Sequence, residues 1–449
     1  MKKLFLSFIL GSIFLLSAQA QDQGSSAVYD LQTAVQVALE NNLNLQRSQL
    51  NLQSTEATLL QNKGQRFPSL STGASSGYRW GRSVNPVTNL FENNRIGNVN
   101  LFANSNVTLF GGGRINNSIN QSQSDIESGM YTIEATRNDI TLNIINLFIN
   151  VVFNREQLKI AKNQLQTTQE QLERTTKLVD AGSLPYSDQL DTQSQNATNE
   201  LEVINATNNL RIAKLNLAQA MQIPFSEEFD VVEPKFEINE DLMASETAGE
   251  IYEIAVDFLP EIRAAEAAVQ SSEYGVKVAK GAFYPSLSVG ANVFSNYVDL
   301  VFGMGDRPSF GEQIENNLSQ SLNFQLNIPI FSNLNNKASL QRARVQQQLS
   351  EISAEEARNQ LRQDIETAFN SALAAEQSYE ASLVRVKSLE ESFRIAQQRF
   401  DLGAINSVDF QVAQNNFFNA QADLLNAKYT YIFRVKVLDF YLGNPINLN

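Results

Sequence analysis

Asp188 and Asp191 stand one turn apart in a stretch of helical periodicity, so both carboxylates face one side. Such a pair is the minimum equipment for general acid–base work, which also needs a pocket and two separated pKa values. At a helix start the same residues simply complement the macrodipole. Asp409 sits at the corresponding start of a second, similar helix. Gly111-Gly112-Gly113, between a strand pattern and a helix pattern, has the outline of a phosphate loop. It lacks the Gly-Lys-Ser/Thr ending, so a flexible strand-to-helix corner is expected there. Little other chemistry is available. The 449 residues include no Cys and no His, which removes disulfides, thiolate nucleophiles and imidazole bases or ligands. No enzyme, cofactor or metal site is expected. A net charge of −14, from 34 basic against 48 acidic residues, argues against nucleic acid as a partner.

The chain opens on an address. Lys2 and Lys3 precede an apolar run from Leu4 to Leu16, and Ala18-Gln19-Ala20 supplies the small residues of a cleavage site. The run is shorter than the ~20 residues of a spanning helix, so residues 1–20 are expected to be a cleaved secretory signal. With no Cys at the cleavage point, lipid attachment there is excluded. No later segment holds 18 consecutive apolar residues.

The remainder is written twice. Residues 38–74 align with 255–291 at an offset of 217, most clearly Phe67-Pro68-Ser69-Leu70-Ser71 with Tyr284-Pro285-Ser286-Leu287-Ser288. Farther on the offset is 221: Phe110 matches Phe331, Asp180-Ala181-Gly182 matches Asp401-Leu402-Gly403, and Asp188 matches Asp409. Two repeats, 21–224 and 248–445, are therefore expected. The acidic stretch joining them, about 225–247, is expected to lie outside the helices as a solvated belt.

Each repeat has one grammar. A helix of ~34 residues (about 30–63 and 248–281) gives way at Pro-Ser-Leu-Ser to period-2 alternation. Strands are expected at about 68–80, 98–110, 285–297 and 319–331, joined within each repeat by long polar loops at about 81–97 and 298–318. Leu70, Val99, Leu101, Leu287, Val289, Leu322 and Phe324 fall on one face, opposite Ser, Gly and Asn. These strands are long enough to cross a bilayer at a tilt. Tyr78, Trp80 and Tyr297 stand towards the loop ends, where an aromatic girdle would fall. The alternative is two soluble hairpins, each covering a core. Four strands cannot close a barrel, and an open edge in lipid leaves backbone groups unpaired. Two copies would give a filled eight-stranded barrel; three would give twelve strands and a wet interior.

Long helices follow at about 114–180 and 336–401, with return helices at 186–221 and 407–442. Heptad seams run through Leu158, Ala161, Leu165, Thr168, Leu172, Thr175 and Val179, and through Phe410, Ala413, Phe417, Ala420, Leu424, Ala427 and Tyr431. Gly182-Ser183-Leu184-Pro185 and Gly403-Ala404-Ile405-Asn406 make the turns, the glycines as C′ caps and Ser187 and Ser407 as candidate N-caps. The opposite faces are rich in Gln and Asn, which suits a wet interior or a helix contact.

Arg399-Phe400-Asp401-Leu402-Gly403-Ala404-Ile405-Asn406-Ser407-Val408-Asp409-Phe410 resembles the hairpin signature of the TolC-like outer-membrane efflux proteins, and 177–188 is a looser copy. Tyr284-Pro285-Ser286-Leu287 and Asn327-Ile328-Pro329-Ile330-Phe331 also look like family features, and the likeness spans almost all of 28–445. The resemblance implies a mostly α fold with membrane β: a homotrimer with a twelve-stranded outer-membrane barrel on a periplasmic α-helical tunnel. It implies hairpin tips (Gly182, Ser183, Leu184, Gly403, Ala404, Ile405) that meet a periplasmic adaptor linked to an inner-membrane pump. It also implies an acidic gate, with Asp409 matching the first of the usual pair. Val412 stands where the second acid often sits, while Asp188 and Asp191 keep that spacing in the first repeat. Arg399 is either an adaptor contact or the partner of Asp401. A periplasmic coiled-coil scaffold or adaptor without a barrel is the alternative function.

Overall fold

The computed structural model describes residues 28–84, 89–232, 247–299 and 308–444. The expected signal segment, most of the acidic linker and Pro445 lie outside the described residues. A two-residue strand β1 (Val28–Tyr29) opens the described chain. It is followed by α1 (Leu31–Asn41), α2 (Leu43–Gly64), β2 (Ser69–Val84), β3 (Phe91–Gly111), α3 (Arg114–Asp180) and α4 (Tyr186–Ala220). After β4 (Asp230–Val231), the second set is α5 (Ala248–Phe258), α6 (Pro260–Gly281), β5 (Ser286–Val298), α7 (Phe310–Asn316), β6 (Ser319–Asn327), α8 (Asn335–Asp401) and α9 (Ser407–Tyr441). Both long helices have 67 residues and both return helices 35. At 1.5 Å per residue the long ones reach about 100 Å.

The single helices expected at 30–63 and 248–281 are each broken, at repeat-equivalent positions. Asn42 turns extended (ψ 117°), and its side chain accepts from the amides of Asn44 and Leu45 to cap α2. Leu259 turns extended (ψ 131°) because Pro260 occupies the first position of α6. The two cores are likewise related. Ile144, Phe148 and Leu217 enclose Ala34 and Ala38 in the first repeat. Ile365 and Leu438 enclose Ile251 and Ala255 in the second, with Phe369 packed against them. The acidic linker does not begin as a solvated belt. Phe229 and Val231 are buried in the first core, and Arg155 and Lys214 both pair with Asp230.

The four long strands form one antiparallel sheet in the order β2-β3-β5-β6. Its register carries a single apolar face across all four: Ala74 opposite Leu101, Ala103 opposite Val293, Val289 opposite Phe324, Leu287 opposite Leu326. The expected loop at 81–97 is much shorter. β2 and β3 stay paired out to Val84 and Phe91, where the Arg82 guanidinium lies 4.6 Å from the Phe91 ring. Within 298–318, residues 310–316 are helix, closed by a Ser309/Glu312 capping box. β6 stops at Asn327 rather than 331, since Pro329 has no N–H for the ladder.

The same lateral order continues below the sheet, where α2 packs on α3, α3 on α6, and α6 on α8. The junction is tight at one place. Gly112 and Gly113 adopt left-handed φ (63° and 76°) to turn β3 into α3. A Cβ on Gly112 would collide with the Gly281 carbonyl, and one on Gly281 with the Arg114 side chain and the Gly112 carbonyl at 2.8 Å. The triple glycine is thus the expected corner. Gly281→Ala should destabilise the chain by about 1–3 kcal/mol through overpacking, read as a lowered far-UV melting midpoint.

Candidate functional site

Both hairpin tips close by the same backbone device. Gly182 (φ 70°) donates to the Val179 carbonyl at 2.9 Å, and Ser183 donates to Leu178 at 2.8 Å. Gly403 (φ 68°) donates to Phe400 at 2.9 Å, and Ala404 donates to the carbonyl of Arg399 at 2.8 Å. These are Schellman closures, which need a residue tolerant of positive φ at C′. The return helices are not capped by the serines. Pro185 precedes α4 without a side-chain cap, and Asn406 caps α9 by accepting from the Asp409 amide at 2.8 Å. Ser407 is instead the first helical residue and is buried.

Asp188 and Asp191 lie on the first turns of α4, half-buried and exposed respectively, and Asp409 lies exposed on the first turn of α9. The tips expose Gly182, Ser183, Gly403, Ala404 and Arg399, with Leu184 and Ile405 half-buried beside them. The partner of Asp401 is not Arg399 but Arg174. The Arg174 guanidinium pairs with the Asp401 carboxylate and also donates to its carbonyl at 3.3 Å. This contact ties α3 to α8, and so one hairpin to the other, close above the tips. Its repeat counterpart, Ile395, could make no such bond; that break in the repeat was the one sequence sign of it.

The seams differ in chemistry. Between α8 and α9, Phe393 stacks on Phe417 at 5.4 Å and Phe400 on Phe410 at 5.0 Å, with Phe418 alongside. In the first hairpin the fully buried seam residues are the small Ala161, Thr168 and Thr175, and the leucines are only half-buried. Buried Thr168 Oγ1 accepts from Asn199 Nδ2 of α4 at 2.7 Å and from Gln414 Nε2 of α9 at 3.2 Å. It donates to the Gln164 carbonyl at 3.0 Å. Gln164 also donates to Asn415 at 3.2 Å, so at this level α3 meets α9 through amides, whereas farther up Phe153 packs against Tyr429.

Higher up, Asp139 of α3 and Asp364 of α8 face Glu261 of α6, and burial alone pushes the Asp139 carboxyl up. Burial, reinforced by Asp139 and Asp364, pushes the Glu261 carboxyl up. Burial and the same three carboxylates push Tyr441 up to about 12. In the sheet, Tyr78 and Trp80 are exposed with ring centroids 6.0 Å apart, and Tyr297 packs 5.1 Å from Phe310. Gly97 opposite Tyr78 and Val99 opposite Tyr297 put all three at one end of the apolar face. No helix is long and apolar enough to cross a membrane, and no group of three or more acidic residues could hold a metal, among the described residues.

Comparison with known proteins matches both halves. The probable efflux pump outer membrane protein TtgC of Pseudomonas putida is 24% identical over 423 residues, covering 90% of this chain and 80% of that protein. The crystal structure of CusC superimposes with a TM-score of 0.79 at 19% identity, covering 92% of each chain. That of the outer membrane protein VceC of Vibrio cholerae does so at 0.78 and 17% identity, covering 93% of this chain and 97% of its own. The sequence pattern of one family matches residues 34–221 and 252–444, one stretch per repeat, and the chain belongs to that family, the outer membrane efflux proteins.

Proposed function

We propose that the chain is the outer-membrane duct of a tripartite efflux or type I export system. Three copies close a twelve-stranded barrel on a periplasmic helical tunnel, and the duct is passive until a periplasmic adaptor docks. The observation that supports this best is an unmatched contact in the repeat. Within the chain, β3 pairs with β5 and α3 packs on α6, repeat against repeat. The corresponding next contacts, β6 with a β2 and α8 with an α2, are not made among the described residues. The edge strand β6 is exposed along its whole length. Gly64 shows the same gap. Its equivalent Gly281 is pressed against the corner at Gly112, whereas nothing lies within 4 Å of a Cβ on Gly64. The corner that would meet it, Asn333-Leu334, already has the required left-handed φ (50° and 63°), on the opposite edge. A neighbouring copy supplies that corner, head to tail, and such contacts close into rings.

In this assembly the exposed apolar face meets lipid, Tyr78, Trp80 and Tyr297 form the girdle at one interface, and the Ser/Asn/Gly face lines water. The tips, with Arg399 and the two turns, take the adaptor. Asp409, helped by Asp188 and Asp191, forms the acidic constriction, and the Arg174–Asp401 pair holds the two hairpins together while it is shut.

Gly64→Ala separates assembly from folding. The variant should keep native helix content as a monomer but yield less trimer on size-exclusion chromatography in detergent. Full trimer yield would count against the head-to-tail ring. In planar bilayers the native protein should show a small conductance blocked by polyvalent cations from the tip side. Asp409→Ala should weaken that block; an unchanged block removes Asp409 from the gate. Arg174→Asp should raise the conductance and the added Asp401→Arg should restore it. The effects should be modest, since an exposed pair is worth about 0–1 kcal/mol.

A further inference from the structure

Between its two ends, the sheet face opposite the apolar one is built mainly from Ser, Gly, Asn and Gln (Ser71 to Gly77, Asn98 to Asn106, Ser288 to Asn296 and Ser319 to Asn327), with an aromatic interruption in the middle. On β3 the alternation that gives Asn98, Asn100, Asn104 and Asn106 places Phe102 on that same face. On β5 the row of Ser288, Gly290, Asn292 and Asn296 includes Phe294. The register sets these two phenylalanines directly opposite each other, with Gly73 of β2 and Ser319 of β6 at the two ends of the same cross-strand row. Directly opposed residues of antiparallel strands share a face. The two phenylalanines therefore occupy paired positions on adjacent strands, in a stretch of wall whose neighbouring rows carry Asn, Ser and Gly.

The Phe102 ring leans over Gly73. An ideal Cβ at that glycine would lie 2.5 Å from Cζ and 2.9 Å from Cε2 of the ring. Only a residue without a side chain lets the ring lie down along the wall. The end of the ring thus occupies the space that a side chain at position 73 would fill. Both phenylalanines stay partly open to solvent. An apolar ring left partly wet between Gly73 and Ser319 forgoes part of the burial that a core position would give it. Folding the sheet does not require it, since the corresponding level elsewhere on this face is served by Ser or Asn.

We propose that Phe102 and Phe294 form an aromatic station on the inner wall of the barrel, which transiently binds cargo carrying a flat aromatic group. The inference rests on the barrel reading above, which turns this face to the lumen. Three copies then carry six rings at one level. Ring-on-ring contacts are worth about 0.5–1.5 kcal/mol beyond burial. That is roughly a two- to tenfold change in occupancy per contact: enough to favour entry of aromatic cargo and too little to trap it.

The test compares two blockers of the native trimer in planar bilayers, phenyltrimethylammonium and tetramethylammonium, added from the barrel side. They share a charge and differ by one ring. The phenyl compound should dwell roughly two- to tenfold longer in the native pore. Phe102→Leu with Phe294→Leu keeps apolar bulk over Gly73 but removes the rings, and should bring the two dwell times together. A preference that survives the double substitution overturns the station and leaves Phe102 as a cover for Gly73. So does a native pore with equal dwell times. A native protein that forms no conductance at all overturns the barrel itself, and that outcome is distinct from either of the others.

Discussion

The arrangement depends on one constraint: a backbone amide or carbonyl facing hydrocarbon must find a partner, at several kcal/mol for each one left unmade. A sheet of four strands with an apolar face on every strand satisfies this internally and fails at its two edges. β2 offers an edge of 16 residues and β6 one of nine. Soluble proteins blunt such edges with charges or bulges. Here β6 runs Ser-Gln-Ser-Leu-Asn-Phe-Gln-Leu-Asn with neither Lys nor Pro, an edge made to be paired. Closure by other copies is the remedy consistent with the repeat, because it reuses the β3–β5 contact the chain already makes.

The helices inherit that geometry rather than adding to it. Each strand adjoins a helix in the same lateral order, so the order of the sheet is carried into α3 and α8, each about 100 Å long. The handover is possible where backbones can touch. Gly112 against Gly281 is such a place, and the left-handed Asn333 and Leu334 mark its counterpart at the far edge. Upper and lower parts of the molecule thus share one pseudo-symmetry, and in the proposed assembly a requirement of the lipid phase would fix helix contacts in the aqueous one.

Much of this was legible in the sequence because it is carried by period and repetition. The strand faces at Leu70–Trp80 and Leu287–Tyr297, the second hairpin's seam from Phe410 to Tyr431 and the glycine turns at 182 and 403 follow from spacing alone. What escaped depends on single side chains acting locally or at long range. Asn42 breaks a continuous apolar pattern with two hydrogen bonds, and Asn406 caps α9 by accepting from the Asp409 amide while Ser407 is buried as the first helical residue. Arg174 finds Asp401 across 227 residues, a pairing no local pattern records. β2 and β3 pair well beyond their alternating stretch, since Arg82 and Arg95 lie over Phe91 and Tyr78 where the sequence looks merely polar. Phe102 was passed over because it interrupts the very alternation used to find its strand.

The contrast between the seams bears on how such a duct could open. Parting α9 from α8 would bring Phe393, Phe400, Phe410 and Phe417 into water, at about 1.5–3 kcal/mol for each ring. In the tip-ward half, below the first core that holds Tyr429 and Ile432, parting α9 from α3 breaks hydrogen bonds from Gln414 to Thr168 and from Gln164 to Asn415. Each has a net worth of about 0.5–1.5 kcal/mol because water replaces the lost partner. The Arg174–Asp401 pair, exposed on both sides, adds little more. In that half the cheaper cut runs between the hairpins, so the tip-ward ends of α8 and α9 would swing together with their aromatic seam intact, while Tyr429 and Ile432 stay anchored in the first core. A docking partner then needs to supply only a few kcal/mol per copy, provided that it binds the parted arrangement better by that amount.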